Sequence, residues 1–96
     1  MTINNLADLE SYLRQEKIFD LLRISRIGVF GSFARGESFN DIDVIIEDEV
    51  NAEALIHFTK KLKTEIQTPV DIVLSKYAEP IILYRAKQDI KYATRE

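Results

Sequence analysis

The sequence predicts an α/β fold, with a small mixed sheet and helices mainly on one face. Short β-branched segments, typical of strands, alternate along the chain with segments whose apolar residues recur at helical spacing. The 96 residues are 46% hydrophobic and 30% charged, which is an ordinary globular composition. A chain of this length holds one hydrophobic core, so we expect a single domain over residues 1–96.

Residues that favour helix starts precede most of the predicted helices. Asn4 or Asn5 can cap a first helix that runs to about residue 14, and a second apolar cluster at 18–22 suggests another short helix or a continuation of the first after a break. Asn51 can cap a third helix, which we expect Pro69 to stop. Pro80 can open a last helix that reaches about residue 87.

Three segments are predicted strands: Arg26 to Phe30, Asp41 to Glu47 and Val70 to Leu74. Between the first two, residues 31–40 contain glycine and serine and are expected to form a turn with one helical turn inside it. Residues 90–94 alternate apolar and polar side chains, which fits a final edge strand or a fraying helix end.

Composition narrows the classes of function. The chain has no cysteine, so a metal would be held by oxygen atoms or by His57. We interpret His57 as a surface or packing residue, because the sequence has no second histidine to share a metal with it. A net charge of −3 makes nucleic acid an unexpected partner. No apolar run approaches the roughly 20 residues that span a bilayer, and no signal peptide is evident, so we expect no membrane association and a soluble, cytoplasmic protein.

The segment Gly31-Ser32-Phe33-Ala34-Arg35-Gly36 is a candidate phosphate-binding turn. It follows a predicted strand, and a strand-to-helix junction directs backbone N–H groups towards a bound anion. Gly31 permits close approach, Ser32 adds a hydroxyl donor, and Arg35 offers a planar charged fork. Taken alone, the segment fits a tight turn with a capping serine equally well.

Three aspartates occur where strand propensity disfavours them. Asp41 and Asp43 are two apart on a strand, so their side chains emerge on one face about 7 Å apart along the backbone. Asp71 interrupts the next apolar strand. If the strands are neighbours, the carboxylates repel one another unless a proton or a cation intervenes, and Mg²⁺ suits an all-oxygen set. The alternative is that each is an ordinary solvated acid at a strand end.

Gly31-Ser32, Asp41-Ile42-Asp43 and Asp71, together with the run Phe33-Ala34-Arg35-Gly36, resemble the signature of the minimal nucleotidyltransferase (MNT) domains of the DNA polymerase β superfamily. The resemblance spans about residues 27–74. It implies a polymerase-β-like nucleotidyltransferase fold and transfer of a nucleotide, with ATP as the expected donor.

The resemblance also implies roles for these residues. Asp41 and Asp43 would ligate two Mg²⁺ ions, and Asp71 would complete the site and accept or orient the proton of the attacking hydroxyl. Gly31 and Ser32 would hold the β- and γ-phosphates, with Arg35 as a further phosphate contact. Family members often accompany an all-helical HEPN protein as the antitoxin of a toxin–antitoxin pair, so the resemblance implies a HEPN partner. The antitoxin would neutralise this partner by modifying it or by binding it.

The sequence departs from the family pattern in one place. Eight residues, 33–40, separate Gly31-Ser32 from Asp41, fewer than family members commonly have. A catalytically degenerate binding module that acts on its partner by contact, and a small nucleotide sensor, are therefore the alternatives. We interpret Tyr77, Tyr84 and Tyr92 as core-edge packing, with a partner interface as the alternative for one of them. The apolar run 81–83 suggests a partner interface or a homo-oligomer.

Overall fold

The computed structural model describes residues 1–96 and contains every predicted strand and helix. The polypeptide forms four strands, β1 (Arg26–Phe30), β2 (Ile42–Ile46), β3 (Val70–Leu74) and β4 (Lys91–Thr94), and five helices, α1 (Leu6–Gln15), α2 (Ile18–Leu22), α3 (Gly31–Ala34), α4 (Ala52–Glu65) and α5 (Pro80–Asp89). A short 3₁₀ turn, Ser75–Tyr77, links β3 to α5.

The sheet is mixed, as predicted, and its strands lie in the order β3–β2–β1–β4. β1 pairs antiparallel with both β2 and β4, whereas β2 and β3 are parallel. Parallel neighbours require a crossover connection, and α4 provides it between β2 and β3. Residues 90–94 are accordingly an edge strand rather than a frayed helix end, because β4 pairs along β1.

Most of the buried apolar side chains lie on one face of the sheet. The core there combines side chains of α1, α2 and α4 with alternate strand residues, among them Ile27, Val29, Ile42, Val44 and Ile46. Only α5 covers the opposite face, where it packs on β1 close to Gly28. A methyl group at Gly28 would lie 2.8 Å from side-chain atoms of both Ile45 and Ile90, so the glycine permits this close packing.

The helix starts follow the predicted capping chemistry. Asn5, rather than Asn4, is the N-cap of α1, and its side chain accepts a hydrogen bond from the amide of Asp8 at 2.9 Å. Asn51 caps α4 in the same way, through the amide of Ala54 at 3.1 Å. Each contact satisfies a backbone donor that the first helical turn leaves unpaired.

Two sequence interpretations were wrong. Helix α4 ends at Glu65 because Ile66 adopts an extended conformation and buries its side chain, so Pro69 is not what stops the helix. Tyr77 and Tyr84 do not pack at the core edge: they are 76% and 64% exposed, whereas Tyr92 is half-buried. None of the helices combines the length and apolar character that crossing a bilayer requires.

Candidate active site at the start of strands β2 and β3

The three aspartates converge at one end of the two parallel strands. Asp41 directly precedes β2, Asp43 is its second residue, and Asp71 is the second residue of β3. The register of the parallel pair places Asp43 opposite Asp71. One carboxylate oxygen from each of the three residues lies within 4.8 Å of the others. The predicted convergence is therefore present.

Strand alternation produces this arrangement. Ile42 and Val44 are buried in the core on one face, at 0% and 2% exposure, so the intervening Asp43 must point to the other face. Asp41 is exposed and Asp43 is half-buried. Because β2 and β3 are parallel and in register, the same alternation brings Asp71 to the face of Asp43.

The cluster has the electrostatic character of a cation site. Burial raises the pKa of Asp43 above its usual value, and the neighbouring charges of Asp41 and Asp71 raise it further. A divalent cation between the carboxylates would offset both effects. The donor set contains only carboxylate oxygens, which hard ions such as Mg²⁺ prefer, so these residues fit the metal that the sequence predicted.

Gly31 lies directly against this cluster. Its φ of +75° is in the left-handed region, where side chains are strained. A methyl group on its Cα would lie 2.6 Å from Oδ2 of Asp43. The shortened connection 33–40 therefore does not separate the turn from the acids, because α3 and the loop that follows it return the chain to β2 with Gly31 and Asp43 in contact.

Arg35 is the most restrained polar side chain of the turn. Its Nε donates to Glu37 Oε1 at 3.0 Å, and its NH1 donates to Asp89 Oδ2 at 2.6 Å. Its NH2 lies 3.5 Å from Oγ of Ser32. The hydrogen bonds to Glu37 and to Asp89 raise the pKa of the Arg35 guanidinium, in that order of size, so the group is a permanent cation.

A cavity of about 330 Å³ opens beside Asp43 and the turn. Gly31, Asp43 and Arg35 line it from the turn and the sheet. The remaining walls are mostly from α5, which the sequence interpretation did not place at the site; they comprise Phe30, Ile82, Arg85, Gln88 and Asp89. Ser32 adjoins the cavity through its contact with Arg35.

Local sequence carried no signal for the α5 residues. Their position depends on β4 pairing with β1, which brings α5 across the face of the sheet that bears the carboxylates. Arg85 makes no ion pair, so it is a cation free to face a ligand in this cavity. Three of the six residues predicted for the site, Asp41, Asp43 and Asp71, form the carboxylate cluster. Gly31 and Arg35 line the cavity beside it, and Ser32 contacts Arg35.

The family described as "Polymerase beta, Nucleotidyltransferase" matches residues 7–92. The chain therefore belongs to the polymerase β nucleotidyltransferase family. Its mixed four-stranded sheet and five helices form the domain that such a match describes. The search of curated proteins gave no match.

Solved structures extend the comparison. A mutant of the toxin–antitoxin complex MntA–HpeT is 27% identical with a TM-score of 0.58, over 81% of this chain and 69% of that chain. A chain in the complex of the tri-AMPylated Shewanella oneidensis HEPN toxin with MNT antitoxin is 25% identical with a TM-score of 0.53, over 85% of this chain and 70% of that chain. A toxin–antitoxin complex with AMP-PNP is 23% identical with a TM-score of 0.61, over 88% of this chain and 71% of that chain. At this identity the similarity is one of fold alone. The family match shows that the chain is a nucleotidyltransferase domain of the polymerase β superfamily, and these solved structures of toxin–antitoxin complexes are similar to it.

Proposed function

We propose that this protein is a Mg²⁺-dependent adenylyltransferase that moves AMP from ATP to a hydroxyl group on a partner macromolecule. The observation that carries the proposal is the cluster of Asp41, Asp43 and Asp71, whose oxygens lie within 4.8 Å of one another beside Gly31. A solved structure with 25% identity supports the chemistry, since it is a complex of a tri-AMPylated HEPN toxin with an MNT antitoxin.

Each site residue has a distinct part in this reaction. Asp41 and Asp43 would hold two Mg²⁺ ions, and Asp71 would complete the site of one of them. When bound, such ions neutralise the phosphates, acidify an attacking hydroxyl and stabilise the leaving oxygens. The triphosphate would lie along Gly31 and Ser32, with Arg35 beside its outer phosphates, in the cavity of about 330 Å³.

The transfer itself is an in-line displacement. The acceptor oxygen forms a bond to the α-phosphorus while the bond from that phosphorus to the pyrophosphate oxygen breaks. The acceptor proton passes to the carboxylate of Asp71 or to solvent, and pyrophosphate leaves on the side of Ser32. Asp71 suits this task because it is exposed, whereas Asp43 is half-buried.

The partner is proposed to be a HEPN-type helical protein, with this chain as the antitoxin of the pair. MntA–HpeT, 27% identical, is a toxin–antitoxin complex, which supports the assignment. The acceptor hydroxyl is proposed to belong to this partner.

Transfer of label tests the proposal. The chain, ATP labelled at the α-phosphate, Mg²⁺ and the product of the adjacent gene are incubated together, and label on the partner is followed. We expect label with the wild type and none with Asp43→Asn. Asp48→Asn, which removes one exposed acid from the loop after β2 and outside the cluster, is the matched control and should retain transfer.

The results also separate catalysis from contact. Absence of label transfer by the wild type with any divalent cation contradicts the enzymatic proposal. If Asp43→Ala still neutralises the partner, contact is sufficient and the chain acts as a binding module, the alternative that the short connection 33–40 raises. ATP binding without pyrophosphate release would instead identify a nucleotide sensor.

A further inference from the structure

Helix α5 is joined to the Gly31–Ser32 turn by the ion pair between Arg35 and Asp89. Asp89 is the last residue of α5, and its Oδ2 accepts from Arg35 NH1 at 2.6 Å. The only other carboxylate on this guanidinium is that of Glu37, two residues along the same loop, at 3.0 Å from Nε. The pair with Asp89 is therefore the contact that fixes Arg35 to a separate element of the fold.

Neither carboxylate binds the NH2 group of Arg35. That group lies 3.5 Å from Oγ of Ser32, on the wall of the cavity that Gly31 and Asp43 also line. A guanidinium held in this way presents its remaining N–H donors to an anion beside Ser32. Asp89 accepts from NH1, a different nitrogen of the guanidinium, so it does not occupy the NH2 donors.

Solvent exposure distinguishes the two acids. The side chain of Asp89 is 22% exposed, whereas that of Glu37 is 58% exposed. Water and salt weaken a contact with an exposed acid more strongly, so Asp89 is the more effective restraint. Arg35 itself is 41% exposed and would otherwise sample many rotamers.

We propose that Asp89 is a positioning residue for nucleotide binding, which holds Arg35 so that its free NH2 group faces the triphosphate at Ser32. The inference rests on the proposed function of this site. Asp89 lines the same cavity, but its proposed contribution is made through Arg35 and not through a contact of its own with the nucleotide. Its contribution comes from ordering a long side chain before the nucleotide binds, so that binding does not bear that entropy cost.

The test is a double-mutant cycle on ATP affinity, measured by calorimetry with Mg²⁺ present. In the wild-type background, Asp89→Ala should raise the Kd about two- to twelve-fold, the range expected for ordering one flexible side chain. In an Arg35→Gln background the same change should have no effect, because the side chain through which it acts is gone. A merely structural role of Asp89 would weaken binding in both backgrounds.

Two further variants keep the test decisive. Asp89→Asn preserves the volume of the side chain and decides the matter if Asp89→Ala does not fold. Glu79→Gln changes the net charge equally at the other end of α5, where Glu79 makes no side-chain cap and no ion pair, and should leave the Kd unchanged.

The outcomes distinguish this inference from the proposed function. A wild type that binds no ATP overturns both. If the wild type binds ATP and Arg35→Gln weakens it, while both Asp89 variants bind as the wild type does, the inference alone is wrong. Tighter binding by the Asp89 variants also overturns it, since Asp89 would then compete with phosphate for Arg35.

Discussion

Gly31 and Gly36 provide a matched pair of positions for testing the site. Both have a φ of +75°, so alanine at either position bears the same backbone strain of about 1–2 kcal/mol. Their surroundings differ. A methyl group at Gly36 meets nothing within 4 Å, whereas one at Gly31 lies 2.6 Å from Oδ2 of Asp43. Any difference between the two variants therefore measures the contact with Asp43.

The magnitudes follow from these distances. Each variant should lower the melting temperature by about 4–16 °C, since 1 kcal/mol corresponds to about 4–8 °C in a domain of this size. In Gly31→Ala the carboxylate must also retreat from 2.6 Å to at least the 3.4 Å of ordinary contact. Metal sites tolerate errors of about 0.2 Å. We therefore expect Mg²⁺ affinity to fall about 10- to 100-fold, as when a residue that orients a ligand is removed.

Calorimetric titration of Mg²⁺ into each variant, in the presence of ATP, measures the difference. Thermal unfolding of the same samples reports the strain. Gly36→Ala should bind Mg²⁺ as the wild type does while melting at a lower temperature. Equal Mg²⁺ affinity in the two variants would refute the reasoning, because the position of the Asp43 carboxylate would then not depend on Gly31.

Three further predictions concern charge and packing. Asp43→Asn should raise the free energy of unfolding by about 1 kcal/mol in urea titrations without divalent cations, because it removes a repulsion of like charges. It should also abolish the stabilisation that Mg²⁺ gives the wild type. A variant less stable than the wild type without divalent cations contradicts this prediction. The hydrogen bond from Tyr12, followed by that from Lys61, lowers the pKa of Glu65. The contribution of Glu65 to the free energy of unfolding is therefore fully present above the pKa of about 4.3 that this group has in the unfolded chain. The contribution is lost as the pH falls through the lower pKa that Glu65 has in the folded protein. Glu65→Gln should thus be less stable than the wild type at pH 7, and their urea midpoints should converge in acid; a constant gap contradicts the pairing. Phe58→Ala, at a core position with 1% exposure, should lower the free energy of unfolding by about 3–5 kcal/mol, measured by urea titration followed by circular dichroism. Ile56→Ala, on the same helix but 54% exposed, is its control and should cost far less.

Much of the fold was predictable because local rules act directly on short segments. The predicted bounds of β1 and β3 agree with the structure, and Asn51 caps α4 as expected. Their signals are β-branched runs and a side chain able to bond the first helical turn. Pro69 misled the interpretation because α4 ends where Ile66 enters the core, and burial is not a local property.

Within the site, the sequence by itself determined which residue types could do the chemistry. The two-residue spacing of Asp41 and Asp43 places them on one face of any strand, and glycine at position 31 permits close approach to the backbone. These are consequences of backbone geometry, which neighbouring residues in the chain already specify.

Only the tertiary structure decided how far the site extends. Asp71 meets Asp43 because β2 and β3 pair in parallel at that register, and Asp89 reaches Arg35 because β4 pairs with β1 and carries α5 across the sheet. Both contacts join segments far apart in sequence. Strand order and register are set by how the whole core packs, so no local pattern contains them.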